Sequence, residues 1–255
     1  MNSQIQVLPI ETDVLVIGGG LAGCMAAIKA AEHGVKVVIA EKANTENSGC
    51  AGTGIDHSYA YIPPVHEPMG YTFDAMMEDH IQGPSGGLVN KDLLRLVISQ
   101  NYSRMLDLEK FGIKIRYEDS NLPGKFRVVP QFHSVPTSIN FDGRNLKLQL
   151  TREAKKRGVE IYNRVMMTDL LSSDGEVAGA LGIGVRDGNL YLFRAKAVVL
   201  STGRSNRMTR SMSGPRHNLR IPAEDTGDGK AMALRAGVGV INMELLTGLR
   251  LNIGG

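Results

Sequence analysis

Residues 12–42 read TDVLVIGGGLAGCMAAIKAAEHGVKVVIAEK, and this stretch decides the fold. Asp13 to Ile17 is a short apolar, β-branched run, the pattern of a buried strand. Gly18-Gly19-Gly20-Leu21-Ala22-Gly23 follows at once and fits G-x-G-x-x-G. Cys24 to Glu32 is an alanine-rich helix with small residues where it must press on a sheet, and Gly34 ends it. Val35 to Ala40 is a second strand, and Glu41 comes directly after it.

Each residue type has a physical task. Gly18 allows the tight turn out of the strand, Gly20 lets a pyrophosphate approach the backbone, and Gly23 lets helix and strand pack closely. The helix start presents unpaired N–H groups and a partial positive charge, which suit phosphate. Glu41 stands about twenty residues beyond the glycines, where an acid accepts hydrogen bonds from an adenosine ribose. A glycine turn alone is common in βαβ units. Strand, glycines, helix, strand and acid in register point to a dinucleotide site.

Working outward, 255 residues suffice for one large domain or two small ones, and 42% hydrophobic residues can build a sizeable core. The net charge of +3, with no basic run interleaved with aromatics, argues against nucleic acid as the main partner. No apolar run reaches the roughly eighteen residues a bilayer span requires. The first residues, MNSQIQVLPIE, lack the basic and apolar regions of a secretion signal. Cys24 and Cys50 are the only cysteines, too few for a disulfide framework or an all-cysteine metal or cluster site, so no metal is expected. A reducing cytoplasm is the expected compartment.

Past Glu41, Lys42 leads into a loop of small polar residues through Ser48, Gly49 and Gly54. The loop leaves the end of a strand, at the crevice where open α/β sheets bind cofactors; a plain surface loop is the alternative. Tyr59 to Tyr71 is proline-rich and reads as irregular. Helices are expected over Phe73–Gln82 and Asn90–Phe111, the second with an apolar face of Leu93, Leu94, Val97, Ile98, Leu106 and Leu108. Ile113–Tyr117 and Phe126–Val129 suggest a hairpin around Asn121–Gly124. His133 is either ligand-facing or an ordinary packed or solvated histidine. Asn145–Arg157 is an amphipathic helix and Val159–Tyr162 a short strand.

Val165–Ser172, Val177–Val185 and Leu190–Ala195, separated by Asp174-Gly175 and Asp187-Gly188, predict a three-stranded antiparallel meander. Ala197–Leu200 returns as a buried strand into Ser201-Thr202-Gly203. Arg204, Arg207, Arg210, Arg216, Arg220 and His217 make the next segment basic, either an anion site or a solvated loop. Thr226-Gly-Asp-Gly229 starts a helix over Lys230–Ala236, and Val238–Glu244 reads as a strand. The fold class is therefore α/β, a Rossmann-like domain with a parallel central sheet, helices and an antiparallel meander.

The glycine turn with Glu41-Lys42, the Ser48–Gly54 loop, Ala197–Gly203, Thr226–Gly229 with Met232-Ala and Ala236-Gly, and Asn242-Met-Glu244 resemble the flavoprotein subunits of fumarate reductase and succinate dehydrogenase. That superfamily also holds L-aspartate oxidase and the adenylylsulfate reductase α subunits, and the resemblance spans roughly residues 12 to 250. It implies FAD as cofactor. On its pattern Gly18, Gly20 and Ala22 line the pyrophosphate and Glu41 binds the adenosine ribose, with Leu21, Gly23 and Lys42 also among the cofactor-binding residues. Ser48, Gly49 and Gly54 run under the flavin. Val165 meets the adenine by its backbone, Thr202 and Gly203 lie near the pyrophosphate, and Asp228 contacts the cofactor.

Members with covalent flavin carry a histidine after the serine of that loop; Gly49 stands there, which implies noncovalent FAD. Arg250 follows Met243-Glu244 where fumarate reductases have a histidine, which leans toward the adenylylsulfate reductase branch and makes Arg250 the candidate catalytic residue. The resemblance further implies residues 1–245 as the FAD-binding domain and 246–255 as the start of a capping domain whose remainder is missing.

The expected function is that of an FAD-dependent oxidoreductase. It acts on a small anionic substrate and exchanges electrons with an iron–sulfur partner, without nucleic acid and without a membrane span. The alternatives are a noncatalytic FAD-binding electron-transfer module or truncated subunit, and an NAD-only Rossmann protein, against which the meander and the Ser48–Gly54 loop argue.

Overall fold

The structure is a computed structural model and describes residues 5–83, 86–130, 135–205, 224–241 and 243. In chain order the elements are β1 (Val7–Ile17), α1 (Leu21–Ala31), β2 (Val37–Glu41), β3 (His57–Tyr59), α2 (Pro63–His66), α3 (Phe73–Gln82), α4 (Lys91–Lys110), β4 (Val128–Val129), β5 (Ser138–Asn140), α5 (Leu146–Lys156), β6 (Glu160–Asn163), β7 (Val165–Ser173), β8 (Glu176–Gly184), β9 (Leu190–Leu200) and α6 (Asp228–Arg235). They fall into two compact units, Met1–Gly52 with Thr151–Gly255, and Thr53–Leu150.

The first unit carries a six-stranded sheet in the order β6-β2-β1-β9-β8-β7. β6, β2, β1 and β9 run parallel, and β9, β8 and β7 form the antiparallel meander at one edge. The α/β expectation therefore holds, with the meander joined to the parallel sheet through β9. β1 is longer than its apolar run suggests. Val7 to Ile17 pairs with Leu190 to Leu200 along its whole length. Its polar residues stay in the strand because they find partners: the Thr12 hydroxyl donates to the Lys36 carbonyl, and the Asp13 carboxylate accepts from the Lys36 amide and pairs with Lys196. The same pair keeps β9 continuous through Lys196, where the sequence suggests two strands.

Asp174 and Gly175 both adopt positive φ, 53° and 83°, the conformation a tight hairpin turn between right-twisted strands demands. The core of this unit gathers Ile10, Leu15, Ile17, Val38, Ala40, Val165, Met167, Phe193 and Met232. Phe193 is fully buried and meets Tyr162 edge-on at 5.6 Å.

The second unit holds α3, α4 and a small sheet in the order β3-β5-β4 that the sequence does not reveal. Thr72 and Asn90 cap α3 and α4 by accepting from the amides of Ala75 and Leu93. The buried stripe of α4 is Leu94, Ile98, Met105 and Leu108. Leu93 and Val97, expected inward, are exposed, because only one narrow stripe of this helix faces the cluster of Tyr61, Met76, Met77, Ile81, Leu94 and Ile98. The expected hairpin is absent among the described residues. Val128 and Val129 pair with β5, and Lys114 bridges Asp142. The proline-rich segment contains β3 and α2, with Pro63 and Pro64 at the start of a one-turn helix. Val238 to Ile241 form no strand, and the exposure of Val238, Val240 and Ile241 matches that.

No helix among the described residues is long and apolar enough to cross a membrane, and no group of His, Cys, Asp and Glu among them could hold a metal ion.

Candidate functional site

The carboxyl ends of β1, β2 and β9 lie side by side in the sheet, where open α/β folds form their cofactor crevice, and the glycine turn, Glu41-Lys42, the residues after β9 and the start of α6 meet there. The chain leaves β1 for β2 on one side and reaches β9 on the other, so β1 marks the point where strand order reverses.

Gly18 has φ of 98°, and a Cβ on it would lie 2.7 Å from the Ser201 carbonyl oxygen. A Cβ on Gly23 would lie 1.9 Å from the Gly18 carbonyl oxygen. These two glycines are required by the protein's own packing. Gly20 differs: nothing lies within 4 Å of where its Cβ would project. Gly20 is also the N-cap of α1, which has no side-chain cap and no acid in its first turn. Among the described residues, no carboxylate or hydroxyl caps the opening amides of that helix, at Leu21, Ala22 and Gly23.

Glu41 is buried at the end of β2. Its Oε2 accepts from the Gly19 amide at 2.6 Å and its Oε1 from the Ala43 amide at 2.6 Å. Each carboxylate oxygen has two acceptor directions, so one on each oxygen stays open. Lys42 turns the other way. Its ammonium donates to the Glu224 carbonyl at 2.7 Å, to Thr226 Oγ1 at 3.0 Å and to Asp228 Oδ2 at 2.6 Å. Burial pushes the Asp228 carboxyl up, but the hydrogen bonds from Lys42 and Thr226 outweigh it and hold its pKa below the usual value. Asp225, three residues earlier, is raised by burial despite the Cys50 thiol beside it. Burial likewise raises the Cys50 thiol, and the Asp225 charge adds to that.

The Ser48 hydroxyl donates to the Gly19 carbonyl at 3.3 Å. Gly49 has φ of 75°, and a Cβ there would lie 3.2 Å from Gly20 Cα. Thr202 packs against the start of α6, where a Cβ on Gly229 would lie 2.0 Å from Thr202 Oγ1. Gly203 has φ of 75° and faces the Asp225 carboxylate. Val165 is buried at the start of β7, and the Arg164 amide just before it donates to the Ala43 carbonyl. Gly18, Gly20, Leu21, Ala22, Gly23, Glu41, Lys42, Ser48, Gly49, Val165, Thr202, Gly203 and Asp228 thus belong to one unit. Gly54 belongs to the other, where its positive φ and close approach to Gly143 and Arg144 are internal packing.

Arg250, His133, Arg207, Arg210, Arg216, Arg220, His217 and the segment 246–255 lie outside the described residues.

Sequence reasoning misses Ser201, Thr45 and Asp225. The Ser201 hydroxyl lies 2.7 Å from the Gly18 carbonyl oxygen and so holds the turn to β9. Thr45 donates to Asn163 Oδ1 and packs on Gly19. Ser201 carries a usable signal, since it directly follows β9 in the same run as Thr202 and Gly203. Thr45 and Asp225 carry no spacing signal.

FAD fits these groups on two counts observed here: the space in front of Gly20, which a side chain would fill, and the buried carboxylate with acceptor positions left at the adjoining strand end. Residues 13–249 match the family described as FAD binding domain, and the chain belongs to that family. FAD is the family's cofactor.

Among relatives, the chain is 32% identical over 240 residues to a fumarate reductase (CoM/CoB) subunit of Methanothermobacter marburgensis, covering 92% of this chain and 41% of that protein. It is 26% identical over 263 residues to the succinate dehydrogenase flavoprotein subunit of Rickettsia bellii, covering 96% of this chain and 41% of that one. Among solved structures, adenylylsulfate reductase from the hyperthermophilic Archaeoglobus fulgidus superposes with a TM-score of 0.76 at 30% identity, over 91% of this chain and 37% of that chain. The chain therefore spans about 40% of the length of the relatives it matches.

Proposed function

We propose that this chain is the FAD-binding part of an FAD-dependent oxidoreductase that acts on a small anionic substrate. The observation that carries this reading is the convergence of the glycine turn, Glu41, the end of β9 and the start of α6 at one crevice, in a chain of the FAD-binding family. Bound FAD would supply the hydride and electron chemistry that side chains lack. The chain's own residues do the rest. The amides from Gly20 to Gly23 face the diphosphate, and Glu41 accepts from the ribose hydroxyls while Gly19 and Ala43 hold its orientation. Ser48 and Gly49 shape the floor of the crevice, Thr202 and Gly203 stand at its β9 side, and the backbone at Val165 lies beside the end of β2.

FAD is held noncovalently in this reading: Gly49 offers no side chain to attach, and its left-handed backbone touching Gly20 resists acquiring one. Electrons are exchanged with an iron–sulfur partner. Cys24 is buried and Cys50 exposed, both free, so the chain has no ligand set for a cluster of its own, and the similar proteins are themselves named as subunits. Two free thiols fit the reducing cytoplasm. Arg250 remains the proposed anchor for the substrate anion, and residues 1–245 the proposed extent of the FAD-binding domain.

The test is an absorption spectrum of the purified chain after incubation with FAD and gel filtration. A retained flavin spectrum, with the flavin released by acid precipitation, supports the reading. A colourless chain that retains no FAD at any concentration tried rejects it.

A further inference from the structure

We propose that Lys42 is a positioning residue, which clasps the 224–228 turn to the end of β2 and thereby sets the start of α6 against the crevice. This rests on the reading of the crevice as the FAD site and deepens it. The family resemblance puts Lys42 on the cofactor itself. In the fold its ammonium is already engaged by the Glu224 carbonyl, Thr226 Oγ1 and Asp228 Oδ2, three acceptors within five residues of one turn. An ammonium has three protons, so no donor remains for a phosphate.

Inside the turn the Thr226 hydroxyl lies 2.7 Å from Asp228 Oδ1 and 3.4 Å from the Glu224 carbonyl oxygen, and Cys50 Sγ lies 3.5 Å from Asp225 Oδ2; none of these ties the turn to the end of β2. Gly227, the N-cap of α6, has φ of 85° and no side chain to cap the helix. Thr226 cannot replace Lys42, because its single proton is given to Asp228 Oδ1 at 2.7 Å while its oxygen accepts from Lys42. On the far side the turn meets β9's extension through the Ser205–Thr226 bridge and the Thr202–Gly229 contact. Lys42 is the clamp on the near side, and it follows Glu41 directly. One dipeptide thus splits two tasks: Glu41 holds the glycine turn and Lys42 holds the turn that starts α6. An exposed ion pair with one partner would do little. A single cation bridging three acceptors on a capless turn fixes geometry, because releasing it frees all three at once.

The experiment is a double-mutant cycle on FAD affinity in the full chain, using Lys42→Met, Asp228→Asn and the double variant, with hydrogen exchange of the apoprotein alongside. Each single variant is expected to weaken FAD about ten- to a hundredfold, and the double variant no more than the worse single. Lys42→Arg, which keeps charge and reach, is expected to restore affinity to within about tenfold of wild type. In the apoprotein, Lys42→Met is expected to speed exchange of amides 226–232 and to leave those of β1 unchanged. Losses that multiply in the double variant, or unchanged exchange at 226–232, would overturn the positioning role while leaving the FAD reading intact. A wild-type chain that takes up no FAD would overturn both.

Discussion

The Gly19 amide donates to Glu41 Oε2 at 2.6 Å, so the acid at the end of one strand fixes the glycine turn at the end of its neighbour. The same carboxylate therefore serves the fold before any ligand arrives. Glu41→Gln turns one acceptor into a donor and leaves either Gly19 or Ala43 facing an N–H. The expected loss of FAD affinity is about 1–3 kcal/mol, with a smaller fall in thermal stability. Fluorescence titration with FAD checks the first and a melting curve the second. Unchanged affinity would remove Glu41 from the site.

Gly20 and Gly23 separate ligand space from packing space. Gly23→Ala places a methyl 1.9 Å from the Gly18 carbonyl oxygen and 2.7 Å from Ser201 Oγ, so the turn and α1 must move apart. We expect about 1–3 kcal/mol of destabilisation from this overpacking. Gly20→Ala meets no protein atom within 4 Å, so its melting temperature should stay near wild type while FAD binding weakens. A Gly20→Ala chain that binds FAD normally would show that the space in front of α1 is not where the diphosphate lies.

The observed face of α4 gives a contrast free of the site. Leu93 is 58% exposed and Ile98 is 1% exposed. Leu93→Gln should change stability by no more than about 0.5 kcal/mol, whereas Ile98→Ala should cost about 2–5 kcal/mol. Urea titrations of the two variants measure this directly. Equal losses would mean that Leu93 is covered in solution.

The parallel half of the fold and most of the crevice are legible in the sequence because they rest on local signals. A glycine turn, a strand-end acid and paired turn residues each declare themselves within a few positions. What is not legible depends on partners distant in sequence. The first half of β1, Val7 to Thr12, with Pro9 inside it and polar Glu11 and Thr12 at its end, is a strand because β9, 183 residues on, offers its whole length. The small β3-β5-β4 sheet joins segments of three, three and two residues, too short for any periodicity to show. Leu93 and Val97 match the helical period as well as Leu94 and Ile98 do, and only the packing of one stripe chooses between them. The position of Lys42 beside Glu41 suggests the cofactor as its partner; its three acceptors come from a turn more than 180 residues away.

His66 makes the second unit sensitive to acid. Its Nδ1 accepts from the Ile62 amide at 2.8 Å, so Nε2 carries the proton and donates to the Pro136 carbonyl at 3.0 Å. Tyr61 stacks on the ring at 5.7 Å. Burial lowers the His66 pKa below its usual 6.5, against the pull of the Pro136 carbonyl. Protonating Nδ1 would set an N–H against the Ile62 N–H. The unfolded chain binds this proton more readily than the folded one, so stability is full above about pH 6.5 and declines as pH falls from there toward the lowered pKa. The decline is at most about 1.4 kcal/mol per pH unit for one proton. His66→Asn removes the titration, so the variant, though less stable at neutral pH, should lose less further stability between pH 6.5 and pH 5 than the wild type. Urea midpoints at several pH values across that range provide the measurement, and parallel declines in the two proteins would assign the acid sensitivity to other groups.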